Sequence, residues 1–115
     1  MNDKRLMQQV IEIARQARLH GNHPFGALLA DAEGNILLTA ENTVVTENDC
    51  TCHAETNLIR QAARNYAAEF LETCTLYAST EPCPMCAGAI FWGNGMLALP
   101  TNGSFRLSET PGRSA

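Results

Sequence analysis

Two short segments of this chain carry side chains that are useful together only if the fold brings them to one point. His53-Ala54-Glu55 is the first, and Glu81-Pro82-Cys83-Pro84-Met85-Cys86 is the second. One imidazole and two thiolates make a tetrahedral shell for zinc with a fourth position left over, whereas structural zinc is normally closed by four protein ligands. Glu55, two residues beyond the histidine, is placed to exchange protons with a water at that fourth position. The architecture must therefore bring together two segments that the chain separates by a helix and a strand.

The chain between and around them reads as alternating helices and strands. Residues 3 to about 20 put Leu6, Val10, Ile13, Ala14 and Ala17 on one helical face, with Lys4, Arg5, Gln8, Glu12 and Arg15 opposite. Gly21-Asn22 stops that helix, and His23-Pro24 starts an extended segment, because a residue before proline is pushed out of the helical region. A strand is expected from Phe25 to Ala30 and its hairpin partner from Ile36 to Ala40, joined by a turn in which Gly34 can take positive φ. Asn42 to Asp49 reads as a polar loop, and Asn48, Asp49 and Thr51 as capping residues for a helix starting near Thr51. On that helix Glu55 shares a side with Leu58, Ile59 and Ala62. A carboxylate facing inward is costly without a partner, and a metal-bound water provides one.

The second helical region ends at Glu69 to Glu72, and Thr73 to Ser79 alternates as a third strand. A third helix opens at Pro84, a residue suited to the first helical position, and runs through Ala87, Ile90 and Phe91. His53, Cys83 and Cys86 would thus all lie at helix N-termini, where the macrodipole favours thiolate and hydroxide. Gly93-Asn94-Gly95 reads as a turn and Met96 to Leu99 as a short strand closed by Pro100. Thr101 to Ala115 has no periodicity and is expected to be mobile or to need a neighbouring chain for order. The expected organisation is one domain over residues 1–100 and a tail over 101–115.

Composition narrows the partners. The net charge is −4, with eight Lys plus Arg and no basic cluster, which argues against a nucleic-acid surface. No run of eighteen apolar residues and no signal-peptide core is present, so neither a membrane span nor secretion is expected and the location is read as cytoplasmic. An odd count of five cysteines fits metal binding better than a disulfide framework. Cys50, Cys52 and Cys74 read as buried small residues, His20 and His23 as solvated, and Phe25 and Trp92 as either core or stacking aromatics. Taken without His53, the Cys83-Pro84-Met85-Cys86 pair would also fit a thiol redox protein.

The pattern H-x-E followed by P-C-x-x-C is an established signature of zinc nucleobase deaminases. From Pro24 to Trp92 the chain resembles the cytidine deaminase superfamily. The resemblance rests on Pro24-Phe25-Gly26-Ala27, Asn42, Asn48-Asp49, His53-Ala54-Glu55, Thr80 to Ile90 and Phe91-Trp92. Within it the branch of guanine, cytosine and tRNA adenosine deaminases is nearer, and the guanine deaminase-like form nearest. The resemblance implies a three-layer α/β/α fold whose mixed sheet is flanked by helices, five-stranded in the family and expected here with fewer strands. It implies one zinc ion per chain held by His53, Cys83 and Cys86, with Glu55 as the proton shuttle. It also implies base contacts from Asn42, from Phe25 to Ala27, and from the backbone near Ala54 and Ser79. The implied activity is hydrolytic release of ammonia from a free nucleobase or nucleoside of guanine or cytosine type. Its alternatives are a non-catalytic zinc-stabilised module, with Cys52 as a fourth ligand, and a tRNA adenosine deaminase. A homodimer is expected from the apolar third helix and the sheet edges. After the third helix the chain departs from the family pattern.

Overall fold

A computed structural model describes residues 3–93, 96–99 and 103–106. Helix α1 (Asp3–Leu19) leads into the hairpin of β1 (Gly26–Ala30) and β2 (Ile36–Glu41), as the apolar periodicities require. Gly34 takes φ +87° in the connecting turn, and Asp31 Oδ1 accepts the N–H groups of Glu33 and Asn35. A register shift opposite Leu29 and Ala30 gives β2 one extra residue. Then come α2 (Val44–Glu47), α3 (Ala54–Asn65), α4 (Ala68–Leu71), β3 (Thr75–Ala78), α5 (Pro84–Trp92), β4 (Met96–Leu99) and β5 (Gly103–Arg106).

The sheet order is β2-β1-β3-β4-β5. β1 is antiparallel to both β2 and β3, β3 is parallel to β4, and β4 is antiparallel to β5. β2, β3 and β4 therefore run the same way, and the links between them are crossovers carrying α3 and α5. Two such crossovers advancing in one direction lay their helices on one face of the sheet. α3 packs on β1, β2 and α5, while α1 packs on β1, β2 and β3.

Two cores result. Ala27 and Leu29 of β1 join Leu76 and Ala78 of β3 beneath α3 and α5, with Leu58, Ala62 and Ile90. Leu28 and Ala30 turn the other way, to Leu6, Val10 and Tyr77. Alternation in β1 and β3 thus divides residues between two cores, so every residue of both strands is buried. α1 lies so close to β1 that a Cβ on Gly26 would come within 2.7 Å of the Ala14 backbone nitrogen.

Several expectations need correction. The sheet has five strands, not fewer, because β4 offers a pairing edge that 103–106 fills. Those residues lie in the stretch expected to lack regular structure. Asn94, Gly95, Pro100 and the remainder of 101–115 fall outside the described residues. The supposed loop after Asn42 contains the one-turn helix α2. The next helix starts at Ala54 with His53 as its N-cap. Asp49 caps no helix there; its Oδ1 accepts from the Thr51 backbone N–H and hydroxyl. Tyr66, in an extended conformation, separates α3 from α4, so the second helical region is two helices. Among the described residues no helix is long and apolar enough to cross a membrane.

Candidate metal centre and its cavity

Because α3 and α5 follow strands that run the same way, their N-terminal ends emerge at one edge of the sheet. His53 is the N-cap of α3 and Cys83 that of α5, where Pro84 occupies the first helical position and Cys86 completes the first turn. His53 Nδ1 lies 3.5 Å from Cys83 Sγ and 3.6 Å from Cys86 Sγ, and the three donor atoms all fall within 4.8 Å of one another. A nitrogen at about 2.05 Å and a sulfur at about 2.3 Å from one ion, on tetrahedral directions, stand about 3.6 Å apart. The donor set fits zinc in both type and spacing.

Burial sets the protonation of the buried groups at this site. Cys86 is fully buried, and burial, reinforced by the nearby Glu55 and Cys83, pushes its thiol up to about 12, against the Thr56 hydrogen bond that favours the thiolate. A coordinating dication reverses such a shift and holds the sulfur deprotonated. Glu55 is only 5% exposed, and desolvation raises its carboxyl above the ordinary range, partly opposed by its own backbone hydrogen bond and by His53. A carboxyl shifted in that direction holds a proton more readily than an exposed one. Phe25, His53, Glu55, Thr80, Glu81 and Cys83 line a cavity of about 140 Å³.

The segments leading to the site are held by buried amides. Asn22 Oδ1 accepts from the Val45 and Thr46 N–H groups, and Asn42 Oδ1 accepts from that of Val44, so two asparagines satisfy the first turn of α2. Asn57 Nδ2 donates to Glu41 O and Thr43 Oγ1, with Cys52 O slightly further at 3.3 Å. Those contacts pin the loop that delivers His53. Sequence reasoning missed Asn22 and Asn57, and it gave no pocket role to Thr80 or Glu81. Their partners lie too far along the chain for a local pattern to reveal them.

The remaining candidates divide. Phe25 lines the cavity, whereas Asn42 and Ala54, both buried, are not among its lining residues. Ser79 donates its N–H to Gly26 O and accepts the Gly26 N–H on its hydroxyl, so that backbone N–H is engaged within the sheet. Cys52 is buried but is not part of the metal trio. Desolvation raises its thiol, with a Thr43 hydrogen bond opposing. Cys50, expected inside, is exposed, and His20 is not simply solvated, since its Nδ1 lies 2.6 Å from Glu41 Oε1. Trp92 is 82% exposed, with its ring edge-on to Phe91.

Residues 1–96 match the model of the cytidine and deoxycytidylate deaminase zinc-binding region. The chain belongs to this deaminase family. His53, Cys83 and Cys86 are the three described residues grouped so that they could hold the zinc ion of that region. A probable cytosine deaminase of Schizosaccharomyces pombe is 45% identical over 93 residues, covering 78% of this chain and 54% of that protein. The guanine deaminase of Bacillus subtilis is 41% identical over 93 residues, covering 80% and 59%. An X-ray structure of guanine deaminase from that organism superposes with a TM-score of 0.76 at 37% identity, covering 86% of this chain and 63% of that one. A tRNA-specific adenosine deaminase of Haemophilus influenzae is 40% identical over 88 residues, covering 76% and 51%. The cytidine deaminase-like fold is thus shared, and this deaminase-family chain spans about half the length of the curated relatives it matches.

Proposed function

We propose that this chain catalyses zinc-dependent hydrolytic deamination of a free nucleobase or nucleoside of guanine or cytosine type, releasing ammonia. The observation that carries this reading is Glu55, a buried carboxyl that lines one small cavity with His53 and Cys83. His53, Cys83 and Cys86 would hold the zinc ion, which would supply a water whose pKa is lowered from 15.7 to about 7. The Glu55 carboxylate accepts a proton from the attacking water, gives one to the ring nitrogen beside the amino-bearing carbon, and later protonates the departing amine. Water adds, ammonia leaves, and a carbonyl replaces the amino group.

Phe25 offers a ring face to a planar base. The Ala54 N–H, at the first position of α3, has no intrahelical partner and is assigned to a substrate heteroatom. With Asn42 Oδ1 engaged by Val44, the contact assigned to Asn42 is donation from its Nδ2. The net charge of −4 supports a small-molecule partner. A homodimer is supported by α5, which carries no charged residue and leaves Trp92 and Met85 exposed.

The test couples zinc content per chain to ammonia release across guanine, cytosine, adenine, isocytosine and their nucleosides. One zinc with release from a base or nucleoside supports the proposal. One zinc with no release from any of them favours a non-catalytic zinc module. Glu55→Ala should keep its zinc and lose turnover by about 10²–10⁴-fold; unchanged release would remove the proton role from Glu55. The tRNA-specific relative makes RNA the second substrate class to test. The net charge of −4 speaks against it, and RNA binding would show itself by a steep loss of affinity with added salt.

A further inference from the structure

Cys86 Sγ has a neighbour that neither metal coordination nor proton transfer accounts for. Thr56 Oγ1 lies 3.1 Å from it. The threonine sits on α3, one residue after Glu55, and the cysteine on α5, so the contact joins the two helices whose starts converge on the metal. A thiolate ligating a cation has no proton to give, which leaves Thr56 as the donor and Cys86 as the acceptor. A helical threonine commonly turns its hydroxyl back to a carbonyl one turn earlier. Here the Cys52 carbonyl one turn earlier receives Asn57 Nδ2 instead, and the Thr56 hydroxyl is aimed at sulfur.

The geometry points to Thr56 as a positioning residue for the metal centre, donating a hydrogen bond to the Cys86 thiolate and thereby setting how strongly that sulfur donates to zinc. Two thiolates neutralise the formal charge of a zinc ion, which weakens it as a Lewis acid. A hydrogen bond to one sulfur draws electron density away from the metal and restores part of that acidity. It also fixes the side chain of Cys86, which is fully buried. Outer partners of this kind orient metal ligands and tune the ion.

This inference rests on the metal role of Cys86 but not on deamination, so its test uses no substrate. The protein is loaded with Co²⁺, and the sulfur-to-metal charge-transfer band is recorded for the native chain, Thr56→Val, Thr56→Ala and Thr56→Ser. Zinc affinity is measured in parallel by competition with a chromophoric chelator. Without the hydroxyl the sulfur becomes more electron-rich, so valine and alanine should move the band to longer wavelength; because the Cys86 side chain is then no longer held in place, they should also weaken zinc binding by about 10–100-fold. Serine, which keeps the donor, should restore both. Alanine serves as a second variant without a donor should valine disturb packing. A band and an affinity that stay native in both variants overturn the inference. So does a serine variant that behaves like valine, since the methyl group would then be what matters. A chain that binds zinc and releases no ammonia leaves this outcome independent of the proposed reaction.

Discussion

At the scale of single residues, the metal centre depends on three side chains whose neighbours along the chain look similar to them. Cys52 adjoins His53 and is buried, yet its thiol is bonded toward Thr43 and stands apart from the trio. Cys52→Ser is therefore expected to retain one zinc per chain, and Cys86→Ser to lose more than about a hundredfold in zinc affinity, beyond the effect usual for outer partners. Metal analysis after gel filtration distinguishes the two, and loss of zinc from Cys52→Ser would revive a closed four-ligand site. The trio and Glu55 were legible in the sequence because coordination chemistry admits few residue types at fixed spacing. Asn22 and Asn57 were not legible, because amides whose partners lie 23 and 16 residues away leave no local pattern.

At the scale of elements, legibility followed length. α1 and the β1–β2 hairpin appear where their apolar periods put them. α2 has four residues, too few to form alone; it exists because Asn22 and Asn42 take up its first N–H groups, and Asn48 closes it at φ 52°. β5 has no alternation to announce it and is defined by the edge that β4 presents. The hairpin turn gives a measurable pH dependence. Hydrogen bonds from the Asn35 backbone and side chain, then from Glu33 and Gly34, hold the Asp31 carboxyl below its ordinary 3.8. A depressed carboxyl stabilises the fold above its unfolded pKa and loses that contribution as pH falls through the folded one. Asp31→Ala should accordingly be less stable than the native chain at pH 7, with the gap narrowing below pH 3.8. Chemical denaturation at the two extremes measures it, and a gap independent of pH would count against the ionised carboxylate as the source.

At the scale of the whole molecule, the crossover topology makes the ion a structural component as well as a chemical one. A ligand bound only by the folded state stabilises it by about 4 kcal/mol at a thousand times its dissociation constant. Chelation should therefore lower the melting temperature, and zinc, added back, should restore it; equal melting with and without metal would mean the trio does not hold the ion tightly. The convergence of α3 and α5 has a further consequence. A break in the exposed stretch after Asn65 would leave the histidine on one piece and both cysteines on the other, with β1 of the first pairing β3 of the second. Such halves, produced separately, should assemble on zinc and come apart in chelator, as size-exclusion chromatography would record. The geometry that makes a metal pocket in the intact chain would then act as a metal-controlled latch between two polypeptides.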